Sequence, residues 1–140
     1  MSSLPTNIPD CTFFILAKAY QKAHGQFKTL LRPYRLTNLQ HLVLEGLWYQ
    51  QGVTAAELGK LLVLDKATLS GVLERMLDSG WIRKERDPGD GRVFRLYTRQ
   101  KAESIKGELI DLRIQANEAL LADFSSEEKV LFKRLLKDLC

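Results

Sequence analysis

A mainly α-helical (α+β) fold with one small β-hairpin is predicted by three features of the sequence. Apolar residues recur at steps of three and four in six separate stretches, several of them opened by a Thr, Ser or Asp cap. Between the fourth and fifth stretches, β-prone runs flank Asp87-Pro88-Gly89-Asp90-Gly91, a dense cluster of turn residues. The outermost stretches carry apolar seams of heptad type, more than a single small domain covers by itself.

Met1 to Ile8 lack periodicity and contain Pro5, so a loose arm is expected there. From Pro9-Asp10 onward, Phe13, Leu16, Tyr20, Ala23, Phe27 and Leu30 step by 3, 4, 3, 4, 3 along a first helix that Pro33 ends. Phe14, Ile15 and Leu31 widen its apolar face toward more than one neighbour. Thr37 with Gln40 has capping-box spacing and opens a second helix, apolar at Leu39, Leu42, Val43, Leu47 and Trp48, which Gly52 is expected to close. Thr54 with Glu57 repeats the cap for a short third helix through Leu58 and Leu61. After Leu62-Val63-Leu64, Asp65 offers the N-cap of a fourth helix from Lys66 to about Ser79, with Leu69, Val72, Leu73, Met76 and Leu77 inward and Gly80 as C-cap. Two helices joined this closely form a helix-turn-helix. Trp81-Ile82 begins one strand, and Val93, Phe94, Leu96 and Tyr97 form the other. Thr98 is placed to cap a continuous helix of roughly 25 residues, ~35–40 Å long, whose seam is Ala102, Ile105, Leu109, Leu112, Ala116 and Ala119. Ser125 with Glu128 caps the last helix, apolar at Val130, Leu131, Leu135, Leu136 and Leu139. The first, fifth and sixth helices share uncovered seams, so pairing with the same helices of a second copy is expected.

Composition narrows the function. With 45% hydrophobic and 27% charged residues the chain is of globular type. The apolar run near the N-terminus, Phe13 to Ala17, is far short of the roughly 20 residues a membrane helix needs, and a cytoplasmic protein is expected. Cys11 and Cys140 are too few for a disulfide framework, and His24 and His41 lie in different helices with no zinc-type set around them, so no metal or cofactor is expected. A P-loop, a dinucleotide fingerprint, a nucleophile elbow and a His-based catalytic set are all lacking, which argues against an enzyme. The charge is placed unevenly. From Arg83 to Lys101 seven basic residues face only Glu85, Asp87 and Asp90, an excess that equals the chain's whole net charge of +4. Such a concentration on one hairpin fits a surface that meets phosphates. The outward face of the fourth helix holds Lys66, Thr68, Ser70, Gly71, Glu74 and Arg75, mostly small or hydrogen-bonding groups that a base edge could approach. At the hairpin tip Asp90 is spaced to orient Arg92, and an oriented guanidinium suits a narrow minor groove.

Several motifs in this order and spacing make nearly the whole chain resemble the MarR family of transcriptional regulators. They are Leu36-Thr37-x-x-Gln40, Thr54-x-x-Glu57-Leu58, Leu64-Asp65-Lys66-Ala67-Thr68-Leu69-Ser70, Gly80-Trp81-Ile82 and Asp87-Pro88-Gly89-Asp90-Gly91-Arg92. The resemblance implies a winged helix-turn-helix in a triangular homodimer. It also implies binding to a pseudo-palindromic operator on double-stranded DNA, usually as a repressor, with release by a small ligand or an oxidant. Divided accordingly, 1–36 is an arm and dimerisation helix, 37–98 the DNA-binding region and 99–140 the C-terminal dimerisation helices. Asp90 and Arg92 match the family's wing pair. Lys66, Thr68 and Ser70 fall in the DNA-facing part of its recognition helix, and Thr54, Arg75, Lys84 and Arg86 complete the expected DNA-facing set. Lys84 stands where the family commonly has Arg, which keeps a phosphate contact and loses the bidentate fork. Tyr97-Thr98 replaces the Leu-Thr that usually closes the wing.

An effector site is expected where the first, second and fifth helices meet the winged region, with Tyr20, His41 and Trp48 as candidate walls and a small aromatic acid or thioester as candidate ligand. Two alternatives differ in class. A branch of the family senses organic hydroperoxides through a cysteine near Cys11, although Phe13 is the residue in register with it and Asn38 and His41 occupy its tyrosine positions. The other alternative is a winged-helix module that binds an acidic protein, for which large apolar anchors on the fourth helix would be the mark.

Overall fold

The structure is a computed structural model that describes residues 8–140; apart from Ile8, the expected N-terminal arm lies outside them. After a 3-10 turn at Ile8–Asp10, α1 spans Thr12–Leu31, and a second 3-10 turn at Arg32–Tyr34 contains Pro33. Arg35 then takes a left-handed conformation (φ 57°), which turns the chain into α2, Asn38–Tyr49. Thr37 caps α2 as its spacing predicts: its hydroxyl accepts from the Gln40 N–H at 3.1 Å while Gln40 Oε1 accepts from the Thr37 N–H at 3.1 Å. Helix α3 is Ala55–Leu62 and α4 is Lys66–Asp78, each N-capped by the expected residue, Thr54 and Asp65. The second full capping box, Ser125 with Glu128, opens α7, Ser126–Leu139.

Strands β1 (Ile82–Arg86) and β2 (Phe94–Thr98) pair antiparallel, with Ile82 opposite Thr98 and Arg86 opposite Phe94. Val53 adds a single bridge to Leu96, so the segment before α3 borders the hairpin as a rudimentary third strand. The core lies under the helix-turn-helix. Leu44 and Leu47 of α2, Leu58 of α3, Val72 and Met76 of α4, Ile82 and Leu96 of the hairpin and Leu109 beyond it are all buried. Helices α2 and α3 meet at Gly46, where an added Cβ would lie 2.9 Å from Leu58 Cδ1, so a larger residue would require the buried Leu58 side chain to shift.

Three boundaries differ from the sequence expectation. Gly52 does not close α2, which stops at Tyr49. Its left-handed backbone (φ 81°) instead turns the chain so that its N–H reaches the Leu96 carbonyl, with Tyr97 packed against it. Gly80 follows the C-cap, Ser79, rather than being it, and completes a Schellman motif: the Trp81 N–H donates to Met76 and the Gly80 N–H to Leu77. Most consequential is the helix after the hairpin, which is broken. Helix α5 is only Gln100–Glu103, the backbone leaves helical geometry at Ile105, and α6 runs Lys106–Leu120. Thr98 does not cap it; its hydroxyl is taken by Glu103 and by the Gln51 side-chain amide, and these bonds hold the first turn on the hairpin while α6 departs.

Candidate nucleic-acid interface and ligand cleft

The turn between α3 and α4 is tight because Gly59 lets the Leu64 carbonyl come within 3.3 Å of where a Cβ would stand. Val63 occupies the corner with φ 55° and ψ 53°, a left-handed conformation that strains a β-branched residue, and is 89% exposed. Asp65 then fixes the start of α4: one carboxylate oxygen accepts from the Thr68 N–H at 2.8 Å and the other from the Thr68 hydroxyl at 2.7 Å. Those two bonds, the backbone one first, hold the Asp65 carboxyl below the usual carboxylate range. They also commit the Thr68 hydroxyl proton to Asp65. Lys66, Thr68, Ser70 and Arg75 are exposed along one side of α4, which carries no large exposed apolar residue. Arg75 folds back over Gly71, its guanidinium within ordinary contact distance of that residue. An open groove of about 630 Å³ runs between α3 and the start of α4, with Ala56, Lys60, Val63, Lys66 and Ser70 on its walls. Thr54 is half-buried, and its hydroxyl is committed to Glu57 at the head of α3.

At the hairpin tip Asp90 accepts from the Arg92 backbone N–H at 3.0 Å and from the guanidinium Nε at 3.2 Å. Arg92 Nη2 also donates to Asp90 Oδ2 at 3.4 Å, so the guanidinium is held along one edge while the side chain stays 90% exposed. This is the orientation the Asp-x-Arg spacing predicts. A second pair, which local spacing did not single out, anchors the hairpin itself. Asp87 accepts from the N–H groups of Gly89 and Asp90 and, at 2.7 Å, from Arg95 Nε, while Arg95 also donates to the Gly52 carbonyl at 2.8 Å. Hydrogen bonding to the arginines holds both Asp87 and Asp90 below the usual range. Along β1 the cations rest on aromatic rings of β2: Lys84 Nζ is 4.7 Å and the Arg86 guanidinium carbon 5.5 Å from the Phe94 centroid, and the Arg83 guanidinium carbon is 4.5 Å from that of Tyr97. Their stems are thereby stiffened and their charges kept at the surface.

On the opposite side of α2 a cleft of about 340 Å³ opens between α1, α2 and α6. Ala23 and Phe27 of α1, Leu42 of α2 and Ala116 and Leu120 of α6 give it apolar walls, and His41, Glu45 and Arg113 give it a polar end. His41 is buried, with its ring 4.9 Å from Phe27, and burial followed by the nearby Arg113 charge pushes its pKa from 6.5 to about 4. Glu45 Oε1 lies 3.8 Å from His41 Nε2, too far for a hydrogen bond, and Glu45 Oε2 lies 2.5 Å from Arg113 Nε. Of the three residues expected at an effector site, only His41 lines the cleft. Tyr20 is 66% exposed and packs beside His24, and Trp48 is not among the cleft walls. Phe27, Glu45 and Arg113 were missed. Helical spacing from His41 reaches Glu45, but Arg113 comes from 68 residues further along and no local pattern points to it. Cys11 stands at the N-cap of α1, partly buried, and donates its N–H to the Ile8 carbonyl. Among the described residues no group of histidine, cysteine and carboxylate side chains is arranged to hold a metal, and no helix is long and apolar enough to cross a membrane.

Comparison with known proteins follows this layout. A family model described as MarR family matches residues 36–94, from the end of the α1–α2 turn into β2. The HTH-type transcriptional regulator TtmR of Methylorubrum extorquens (strain PA1) is 36% identical over 93 residues; these cover 64% of this chain and 48% of that protein, so the chain spans about half its length. The organic hydroperoxide resistance transcriptional regulator of Bacillus subtilis (strain 168) is 31% identical over 114 residues, covering 76% of this chain and 78% of that one. Among solved structures, a probable transcriptional regulator from Pseudomonas aeruginosa superimposes with a TM-score of 0.88 at 28% identity, over 96% of this chain and 100% of that one.

Proposed function

Because this chain belongs to the MarR family of DNA-binding transcriptional regulators, we propose that it represses by binding a pseudo-palindromic operator as a homodimer and is released when a small molecule enters the α1–α2–α6 cleft. The observation that carries the reading is the pairing of two exposed elements: α4, with Lys66, Thr68 and Ser70 outward, and a wing whose Arg92 is gripped by Asp90. Lys66, Thr68 and Ser70 read base edges in the major groove. Arg75, Lys84 and Arg86 contact phosphates, Thr54 supports the backbone approach at the head of α3, and Arg92 enters the minor groove. The absence of a large apolar anchor on α4 favours a nucleic-acid groove over an acidic protein partner. The chain then divides as 1–36 and 99–140 for dimerisation and 37–98 for DNA, working in the cytoplasm where its operator lies.

Dimerisation is supported by apolar side chains that the chain leaves uncovered at both ends. Phe13 is 86% exposed on α1 and Val130 71% exposed on α7, joined there by Leu131, Leu135 and Leu139. Two copies sharing these faces would hold two α4 helices at a fixed separation, which a two-fold operator requires. Selection of bound duplexes from a random library by the full chain, followed by footprinting, tests the reading. Enrichment of an inverted repeat with half-sites about one helical turn apart is expected; enrichment of no repeat would overturn it.

A further inference from the structure

The polar end of the cleft cancels its own charge. Arg113 is the cation lining it, and Glu45 Oε2 lies 2.5 Å from Arg113 Nε, so a negatively charged ligand would meet a carboxylate as close as the guanidinium. Yet hydrogen-bonding capacity there is unspent: His41 Nε2 and Glu45 Oε1 are buried without a partner, and Arg113, whose Nε faces Glu45 Oε2, keeps the donors of its two Nη atoms. His41 is only 5% exposed. Buried polar atoms of this kind ordinarily find partners, and two of them facing one apolar cleft mark the place of a missing one. Glu45 can only accept and Arg113 can only donate, so the complement is a group that offers a donor beside an acceptor. Phe27, Leu42 and Leu120 suit a flat ring behind that group. A buried cavity of ~150 Å³ already holds benzene, so about 340 Å³ accommodates one ring or two fused rings with a substituent.

We propose that the cleft takes an uncharged planar ring bearing a hydrogen-bond donor next to an acceptor, as in an aryl carboxamide or a cyclic lactam, with the donor on Glu45 Oε1, the acceptor on Arg113, and His41 Nε2 as a third contact. This rests on the cleft being the effector site, and it replaces the aromatic acid expected from the sequence by its uncharged counterpart. The isosteric probes 2-naphthamide and 2-naphthoate separate the two, titrated calorimetrically into the full chain at pH 7.5. The amide is expected to bind at least tenfold more tightly than the acid. In Glu45→Gln the uncovered Arg113 should raise affinity for the naphthoate about tenfold or more, reversing the preference. Should that variant fold poorly, the double variant E45Q/R113Q keeps the test alive, since it should still prefer the amide. Equal or tighter binding of naphthoate by the native chain, or no binding of naphthamide, overturns the ligand class. A cleft-filling Ala116→Trp should abolish naphthamide binding; an unchanged affinity there would overturn the cleft itself as the binding site, a separate failure.

Discussion

Acidification should destabilise this protein through one side chain, His41. Its ring is enclosed by Phe27 from α1, Glu45 on its own helix and Arg113 from α6, and it lies neutral in the folded chain with its pKa pushed from 6.5 to about 4. Glu45 at 3.8 Å favours the charged form, but burial and Arg113 outweigh it. In the unfolded chain the same imidazole takes a proton as pH falls below 6.5, so the unfolded state binds more protons throughout the window from about 6.5 to 4. Stability is therefore fully present above pH 6.5 and is lost as pH falls toward 4. A separation of 2.5 units corresponds to about 3 kcal/mol in full, of which ~2 kcal/mol is lost between pH 7 and pH 5. With an unfolding entropy of roughly 2.1 cal/mol/K per residue over a chain this size, that lowers Tm by about 6–7 °C. Urea melts at pH 7 and pH 5, at one fixed protein concentration because the melting of a dimer depends on it, measure the loss. The same melts on His41→Leu isolate it, since a leucine fills the site without titrating. The native chain should lose ~2 kcal/mol more than the variant over this interval. Equal losses would refute the assignment and move the acid sensitivity elsewhere.

Three further outcomes follow for the proposed DNA-facing side. Arg92→Ala should weaken operator binding by roughly ten- to a hundredfold in a gel-shift titration with the melting curve unchanged, because the side chain is 90% exposed and touches only Asp90; Asp90→Asn should lie between. Lys84→Ala should reduce affinity similarly on every operator sequence and lower the slope of log K against log salt by about one per wing, whereas a loss confined to some sequences would contradict a phosphate role. Val63→Asn should stabilise the chain by roughly 1 kcal/mol, seen as an upward Tm shift of ~3 °C, since asparagine tolerates the left-handed corner that valine occupies under strain; a lower Tm would show that the exposed valine packs on something.

What could be read from the sequence was what forms within four residues. Thr37 with Gln40, Ser125 with Glu128 and Asp65 with Thr68 make the caps their spacing announces, because both partners of each bond lie in one turn. Asp90 with Arg92 was legible for the same reason. The break before α6 was not, because the 3,4 pattern of Ala102, Ile105 and Leu109 passes through it unaltered and its cause is distant. Glu103 is tied to Thr98 and Gln51, and Lys101 lies over the Trp81 ring at 4.1 Å with its ammonium on the Ser79 carbonyl, so the first turn belongs to the winged unit while α6 leaves it. Gly52 was misread as a helix stop because its partners, Leu96 and Arg95, lie more than 40 residues on. Glu45 with Arg113 joins positions still further apart.

Several of these long-range bonds start on α2 or on the residues just past it. Helix α2 carries His41 and Glu45 at its first two turns, in the cleft. Just past its end, Gln51, Gly52 and Val53 are bonded to Thr98, Arg95 and Leu96 of the wing, and along its length Gly46 seats Leu58 of α3. At 12 residues it is a rod of about 18 Å with no proline. A packed core does not deform continuously, so on the proposed effector reading a group wedged between α2 and α6 is expected to shift α2 as a body together with α3 and the wing, which are fastened to it by close packing and by hydrogen bonds. α6 joins the same core through Leu109, but it begins after the break at Ile105, between the turn held by the wing and the helix that bears Arg113. On the proposed effector reading, the irregularity that the periodicity concealed is the place where the winged unit is expected to turn against the helical frame.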